Sequence, residues 1–169
     1  PSPHWVGNGF HVYPVFADLA FTKELSPLLM FDYAAPKQFP PSTRAPLGVG
    51  QHPHRGFETV TIAFQGEVEH KDSMGKSGVI HPGDVQWMTA GRGIIHQEFH
   101  SNEFTRKGGT FEMAQLWVNL PKNDKMTKPR YQPIPNSKIP VITLPLDASD
   151  GEEETLGTAR IIAGEIGDN

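Results

Sequence analysis

Frequent turn signals limit what this chain can fold into more than any other feature. Seventeen glycines and sixteen prolines are spread through 169 residues. The apolar runs between them are short and rich in β-branched and aromatic side chains. Residues 58–64, 85–88, 94–100 and 112–120 read as strands. Turn signals fall at Gln65-Gly66, at 73–78, at Pro82-Gly83-Asp84 and at 90–93. Further strands are expected at 11–16, 28–34 and 67–72, the last forming a hairpin with its predecessor. No ten-residue stretch carries helical periodicity, and 16–25 comes nearest. The proline-rich segment 35–50 reads as a loop, as does the charged, glycine-ended segment 102–109. Strands recurring at roughly eight- to twelve-residue intervals with turns between them predict an all-β sandwich or barrel.

The carboxy-terminal part differs in character. Residues 121–140 are polar, with prolines at 121, 129, 133, 135 and 140, and read as a linker. Two strands follow, at 141–144 and 159–164, separated by an acidic turn over 147–154. Two strands cannot bury a core alone, so they either complete the first barrel or open a second domain.

Composition removes several classes of function. A net charge of -4 without a basic run argues against general nucleic-acid binding. The absence of cysteine excludes disulfides, thiolate-held clusters and cysteine zinc sites. No apolar run has the length of a membrane span and the amino terminus is not signal-like. A soluble, cytoplasmic protein is expected.

Chemistry concentrates in two segments, Gln51-His52-Pro53-His54 and His96-Gln97-Glu98. On a strand, residues i and i+2 share a face, so His52 projects with His54 and His96 with Glu98. If the two strands face one another across a barrel, the four side chains converge. A lone histidine is usually a surface or hydrogen-bonded residue, and one His-x-His pair is a weak signal. Two such pairs with strand and turn punctuation between them make a strong one. Three neutral imidazoles and a carboxylate leave a divalent ion with residual positive charge. In an octahedral field they also leave two open positions, which suits non-haem Fe(II) and an anionic substrate. The alternative is a closed tetrahedral zinc with the same ligands.

Other residues are weaker candidates. Glu58 would project on the side of His54 and could orient an imidazole, or could be a solvated strand residue. Gln115, Trp117 and Asn119 share one face of a strand, and Ala114, Leu116 and Val118 the other, with either able to line a pocket. Arg92 sits in a Gly-Arg-Gly turn beside His96. His70, His81 and His100 are expected to be bystanders.

Three segments carry a family resemblance: His52-Pro53-His54-Arg55-Gly56-Phe57-Glu58-Thr59-Val60, the run from Pro82-Gly83-Asp84 through Trp87-Met88-Thr89-Ala90-Gly91-Arg92-Gly93 to His96, and Gln115-Leu116-Trp117-Val118-Asn119-Leu120-Pro121. In these the chain resembles the pirin family of cupins, from about residue 5 to its end. The resemblance implies a double-stranded β-barrel of jelly-roll type. It also implies a divalent metal, most readily iron with Zn, Mn, Ni, Co or Cu as alternatives, held by His52, His54, His96 and Glu98, with Glu58 not a ligand. Because the family is bicupin, residues 1–121 are expected to form the metal-binding cupin, 122–140 a linker and 141–169 the start of a second barrel, in a truncated or proteolysed chain.

Two functions follow from the resemblance. The first is a quercetin 2,3-dioxygenase-like oxidoreductase that cleaves a flavonol-like aromatic with dioxygen, Glu98 accepting the substrate proton. The second is a metal- or redox-sensing regulator without turnover, acting through a protein partner. A structural metal in a housekeeping barrel is a third.

Overall fold

The computed structural model describes residues 2–145 and 155–166. The acidic turn expected at 147–154 lies outside the described residues. In chain order the elements are β1 (His4–Val6), β2 (Phe10–Phe16), α1 (Leu19–Leu25), β3 (Leu28–Phe39), β4 (Gly48–His54), β5 (Phe57–Gln65), β6 (Val68–Asp72), β7 (Ser77–Ile80), β8 (Val85–Thr89) and β9 (Ile94–His100). They continue with α2 (Asn102–Lys107), β10 (Gly109–Asn119), β11 (Arg130–Ile134), a 3-10 turn (Asn136–Lys138), β12 (Val141–Pro145) and β13 (Thr155–Arg160).

Two sheets face each other. One has seven strands in the order β1-β2-β3-β10-β5-β8-β11, and the other four in the order β4-β9-β6-β7. All pairings are antiparallel. Strands β12 and β13 form a separate two-stranded sheet. The all-β expectation holds. No helix among the described residues is long and apolar enough to cross a membrane.

The space between the sheets is chemically graded. At one end Phe10, Val12, Val68, Ile80, Phe104, Phe111 and Met113 form an apolar core contributed by both sheets. Towards the other end the inward-facing residues turn polar, with Thr59, Thr61 and Gln86 on the larger sheet and His54, His70, His96 and Glu98 on the smaller, all buried. On the outer face of the larger sheet, Val60, Val85, Leu116 and Val118 pack with Ile134, Ile139 and Ile162.

Several segments differ from the sequence reading, each for a local reason. Half of the expected loop 35–50 is strand, because β3 runs through Pro36 to Phe39 and β4 begins at Gly48. Pairing with β10 steps from Phe111↔Lys37 to Met113↔Ala34, which leaves one extra residue on β3. A proline, unable to donate to a ladder, fits that bulge. The expected loop 102–109 contains α2. Ser101 Oγ accepts from Phe104 N at 2.9 Å, Arg106 and Lys107 lie in the last turn, and Gly108 at φ 66 ends it. Six residues are too few to show periodicity. The helix hinted at over 16–25 forms as α1, capped by Asp18. The stretch 121–140 is more than a linker, since β11 adds to the free edge of β8. Pro133 is tolerated there because β11 is itself an edge strand. The last strand ends at Arg160 rather than 164.

Candidate metal centre

The site is built on the pair β4 and β9, which are hydrogen-bonded neighbours in one sheet rather than strands facing across the barrel. Their register carries the key irregularity. Val49 pairs with Glu98 and His52 with His96, so three steps on β4 match two on β9. One residue is therefore bulged out at Gly50-Gln51. Side chains alternate with period two, so a one-residue insertion reverses which face the following residues occupy. Without the bulge Gln51 would stand opposite His96, and both His52 and His54 would point outward. With it, His52, His54, His96 and Glu98 share the inner face.

The bulge also orients the first imidazole. His52 Nδ1 lies 2.8 Å from the carbonyl oxygen of Gly50. A carbonyl can only accept, so this bond puts the proton on Nδ1 and leaves Nε2 with a free lone pair.

His52, His54 and His96 place one ligand nitrogen each within 4.8 Å of one another. Ring centroids are 4.4 Å apart for His52–His96 and 4.8 Å for both His54–His96 and His52–His54. His54 and His96 are buried. Burial first, and then the neighbouring imidazoles, lower each pKa to about 3. Both rings therefore stay neutral near pH 7, the form in which imidazole binds a metal.

Glu98 shares the face but lies outside this mutual 4.8 Å group. Burial raises its pKa, while His52 and a contact with Gln115 act in the opposite direction. Gln115 Nε2 donates to Thr61 Oγ1 at 3.1 Å and sits 3.4 and 3.5 Å from the two carboxylate oxygens. This identifies Gln115, Trp117 and Asn119 as the inner face of β10, while Leu116 and Val118 pack outside. Trp117 contacts His54 (centroids 5.3 Å apart) and Phe57 (4.6 Å).

Glu58 does not reach an imidazole. It shares the outward parity of Val60, and its Oε1 accepts from Thr89 Oγ1 at 2.5 Å. The turn at Gly56, φ 80, breaks the regular spacing from His54 and sends β5 into the other sheet. Arg92 is exposed.

Two of the expected bystanders are buried inside the barrel. His70 pairs across β6–β9 with Glu98, and Asp72 pairs with His96, which brings both to the site. The alternation Val68-His70-Asp72 carried this signal, but only the register identifies the partners. His100 continues the series His96, Glu98, His100, yet its ring lies among Phe10, Phe39, Phe104 and Phe111 with Nε2 3.0 Å from Gly9 O. Its role is structural. His81 is exposed, 3.1 Å from Glu67.

Five of the seven buried, partnerless side-chain atoms among the described residues belong to His96, Asp72, Tyr131 and Trp117, in and beside the site. Among the described residues, His96 Nδ1 and Nε2, Asp72 Oδ2, Tyr131 Oη and Trp117 Nε1 are buried without a hydrogen-bond partner. An unsatisfied buried polar group costs about 1–3 kcal/mol, so native proteins seldom tolerate a cluster of them without a ligand or ion. A cation accepting an imidazole lone pair would relieve one of the two His96 nitrogens. The donor set therefore fits a divalent metal.

Two facing antiparallel sheets with a histidine cluster in the polar end of the barrel define a cupin. Residues 9–118 match the family described as Pirin, and the chain belongs to the pirin family. It is 54% identical over 164 residues to a Pseudomonas aeruginosa protein named "Putative quercetin 2,3-dioxygenase", an alignment covering 97% of this chain and 54% of that protein. The crystal structure of a quercetin 2,3-dioxygenase from Acinetobacter baumannii superposes with a TM-score of 0.89 at 55% identity, over 100% of this chain and 56% of that one. The bacterial pirin YhhW from Escherichia coli, solved in complex with nickel(II), matches with a TM-score of 0.58 at 26% identity, over 83% and 58% of the two chains. This chain thus spans little more than half the length of these relatives.

Proposed function

We propose that the chain forms the metal-bearing barrel of a quercetinase-type dioxygenase acting on a flavonol-like substrate, with His52, His54, His96 and Glu98 holding one Fe(II) ion. The observation that carries this reading is the convergence of three imidazoles, two of them held neutral by burial, with both His96 nitrogens lacking a protein partner. The same donors accept Zn, Mn, Ni, Co or Cu. A bound divalent ion supplies Lewis acidity toward a substrate hydroxyl and toward dioxygen.

The protein's own groups do the rest. Glu98 accepts the hydroxyl proton on a carboxylate oxygen. Gln115, anchored on Thr61, keeps that carboxylate oriented. Trp117 and Phe57 form an aromatic wall beside His54 that keeps water from the reacting groups. A cytoplasmic setting belongs to this proposal, since a reducing compartment keeps iron ferrous.

The test is oxygen uptake with carbon monoxide release from quercetin on protein loaded with each metal in turn. Turnover lost in Glu98→Gln supports the reading. Absence of turnover with Fe, Mn, Ni, Co and Cu sinks it.

A further inference from the structure

An ion can take only one nitrogen of His96. The other then stays as N–H, a donor that needs an acceptor inside the protein. His96 is 1% exposed, so bulk solvent does not reach it, and neither ring nitrogen has a hydrogen-bond partner.

An acceptor stands on the neighbouring strand. Asp72 is the cross-strand partner of His96 in the β6–β9 pair, and residues directly opposite in an antiparallel pair project to the same face. Its two carboxylate oxygens are used unequally. Oδ1 accepts from the backbone N–H of Met74 at 2.7 Å and of Lys76 at 3.0 Å, which caps the turn from β6 into β7. Oδ2 is buried and has no partner. The same turn is fastened to β9 at the residue before His96. Ser73 N donates to Ile95 O at 2.8 Å, and Ile95 N donates to Ser73 Oγ at 3.2 Å. The carboxylate is thereby held beside the His96 strand with one oxygen to spare.

The charges agree with this placement. Burial, His52 and His70 lower the His96 pKa, and Asp72 is the acidic group that pulls the other way. Tyr131 Oη is also buried without a partner. It comes from β11 in the other sheet, however, and a neutral hydroxyl is a weaker acceptor than a carboxylate.

We propose that Asp72 is a positioning residue of the metal centre, its Oδ2 accepting the His96 N–H that is left when an ion occupies the other nitrogen. The bond fixes the tautomer and orientation of that ring and strengthens it as a ligand. The proposal rests on the metal site of the reading above and is independent of the dioxygenase chemistry.

Zinc, which is diamagnetic and has no redox chemistry, is the probe. In Asp72→Asn the amide oxygen keeps the two backbone bonds of the turn, while an NH2 group replaces the free oxygen and cannot accept. Its metal-free urea midpoint should match the parent's. Its zinc affinity, read by competition with a chromophoric chelator, should fall roughly ten- to a hundredfold. Asp72→Ser caps the turn with a hydroxyl too short to reach the ring and should show the same loss, whereas Tyr131→Phe should bind zinc like the parent. In NMR spectra of the zinc-loaded parent, the His96 ring N–H should be protected from exchange with water, and that protection should vanish in both Asp72 variants. A freely exchanging His96 N–H in the parent, or a loss of affinity confined to Tyr131→Phe, overturns the proposal. A fall in the metal-free midpoint of Asp72→Asn large enough to account for its lost affinity also overturns it, leaving Asp72 a turn cap alone. Zinc bound equally by the parent and either folded Asp72 variant removes the role of Asp72 and leaves the metal centre. No zinc bound by the parent removes both.

Discussion

His52 and His96 stand directly opposite one another on adjacent antiparallel strands, and they do so because β4 carries one residue more than β9 between Val49 and His52. The convergence of the proposed ligands is a matter of register. Deleting both Gly50 and Gln51 puts His52 directly after Val49, one position out of step, and turns His52 and His54 to the outer face, whereas deleting Gln51 alone would leave them inside. The expected result is a folded barrel with no bound divalent metal, read by circular dichroism and elemental analysis. Retention of stoichiometric metal would show that the bulge does not set the facing.

Removing one ligand should separate metal binding from stability. His52 is half-buried, so His52→Ala should change the metal-free stability by less than about 1 kcal/mol. The parent chain should gain about 2.7 kcal/mol from metal at a hundredfold excess over its dissociation constant. The variant should gain little at the same concentration, a contrast visible as a missing thermal shift on metal addition.

Gln115 tests the support of the site without touching a nitrogen ligand. Substitution by Leu removes the contacts with Thr61 and Glu98. Metal affinity should fall roughly ten- to a hundredfold, and competition with a chromophoric chelator measures it. Unchanged affinity would exclude Glu98 orientation as a contribution to binding.

The buried His100 gives the barrel an acid sensitivity of defined sign. Burial lowers its folded pKa to about 4, against the opposing pull of the Gly9 carbonyl, while an unfolded histidine titrates near 6.5. The unfolded chain therefore binds the proton first, so this contribution is intact above pH 6.5 and is lost as pH falls towards 4. The amount is about 3 kcal/mol. Urea unfolding of metal-free His100→Phe, compared with the parent at pH 7 and pH 4.5, should show a shallower loss. An equal loss in both chains would assign the sensitivity elsewhere.

At Gly48 the backbone of β4 lies close against β9. A Cβ there would meet Glu98 O at 2.2 Å and Phe99 Cα at 2.5 Å, both backbone atoms that cannot rotate away. Gly48→Ala should destabilise the barrel by about 1–3 kcal/mol, read from the urea midpoint. It should also weaken metal binding by pushing the two ligand strands apart.

Much of this was legible because strands advertise themselves by alternation. The run from Ile94 to His100 shows alternating burial, and the pairing of His-x-His with His-x-Glu follows from period two alone. What escaped depends on information that one strand does not carry. The neighbours of a strand, and the bulge between them, are properties of a pair, so β4 and β9 read as facing rather than adjacent, and His70 read as a bystander although it stands opposite Glu98. Glu58 was misdirected by counting through Gly56 as if the strand continued. Segments α2 and β11 were missed because a six-residue helix has no measurable period and a proline-bearing edge strand looks like a linker.

That edge strand has a practical consequence. Tyr131 reaches the inner wall from β11, and Ile134 and Ile139 cover the outer face of the larger sheet. A polypeptide ended at residue 121, where the composition changes, would strip the hydrogen-bonding edge of β8 and uncover Val60 and Val85. The smallest fragment expected to express without aggregating therefore runs through Ile139, some eighteen residues beyond the boundary that composition suggests.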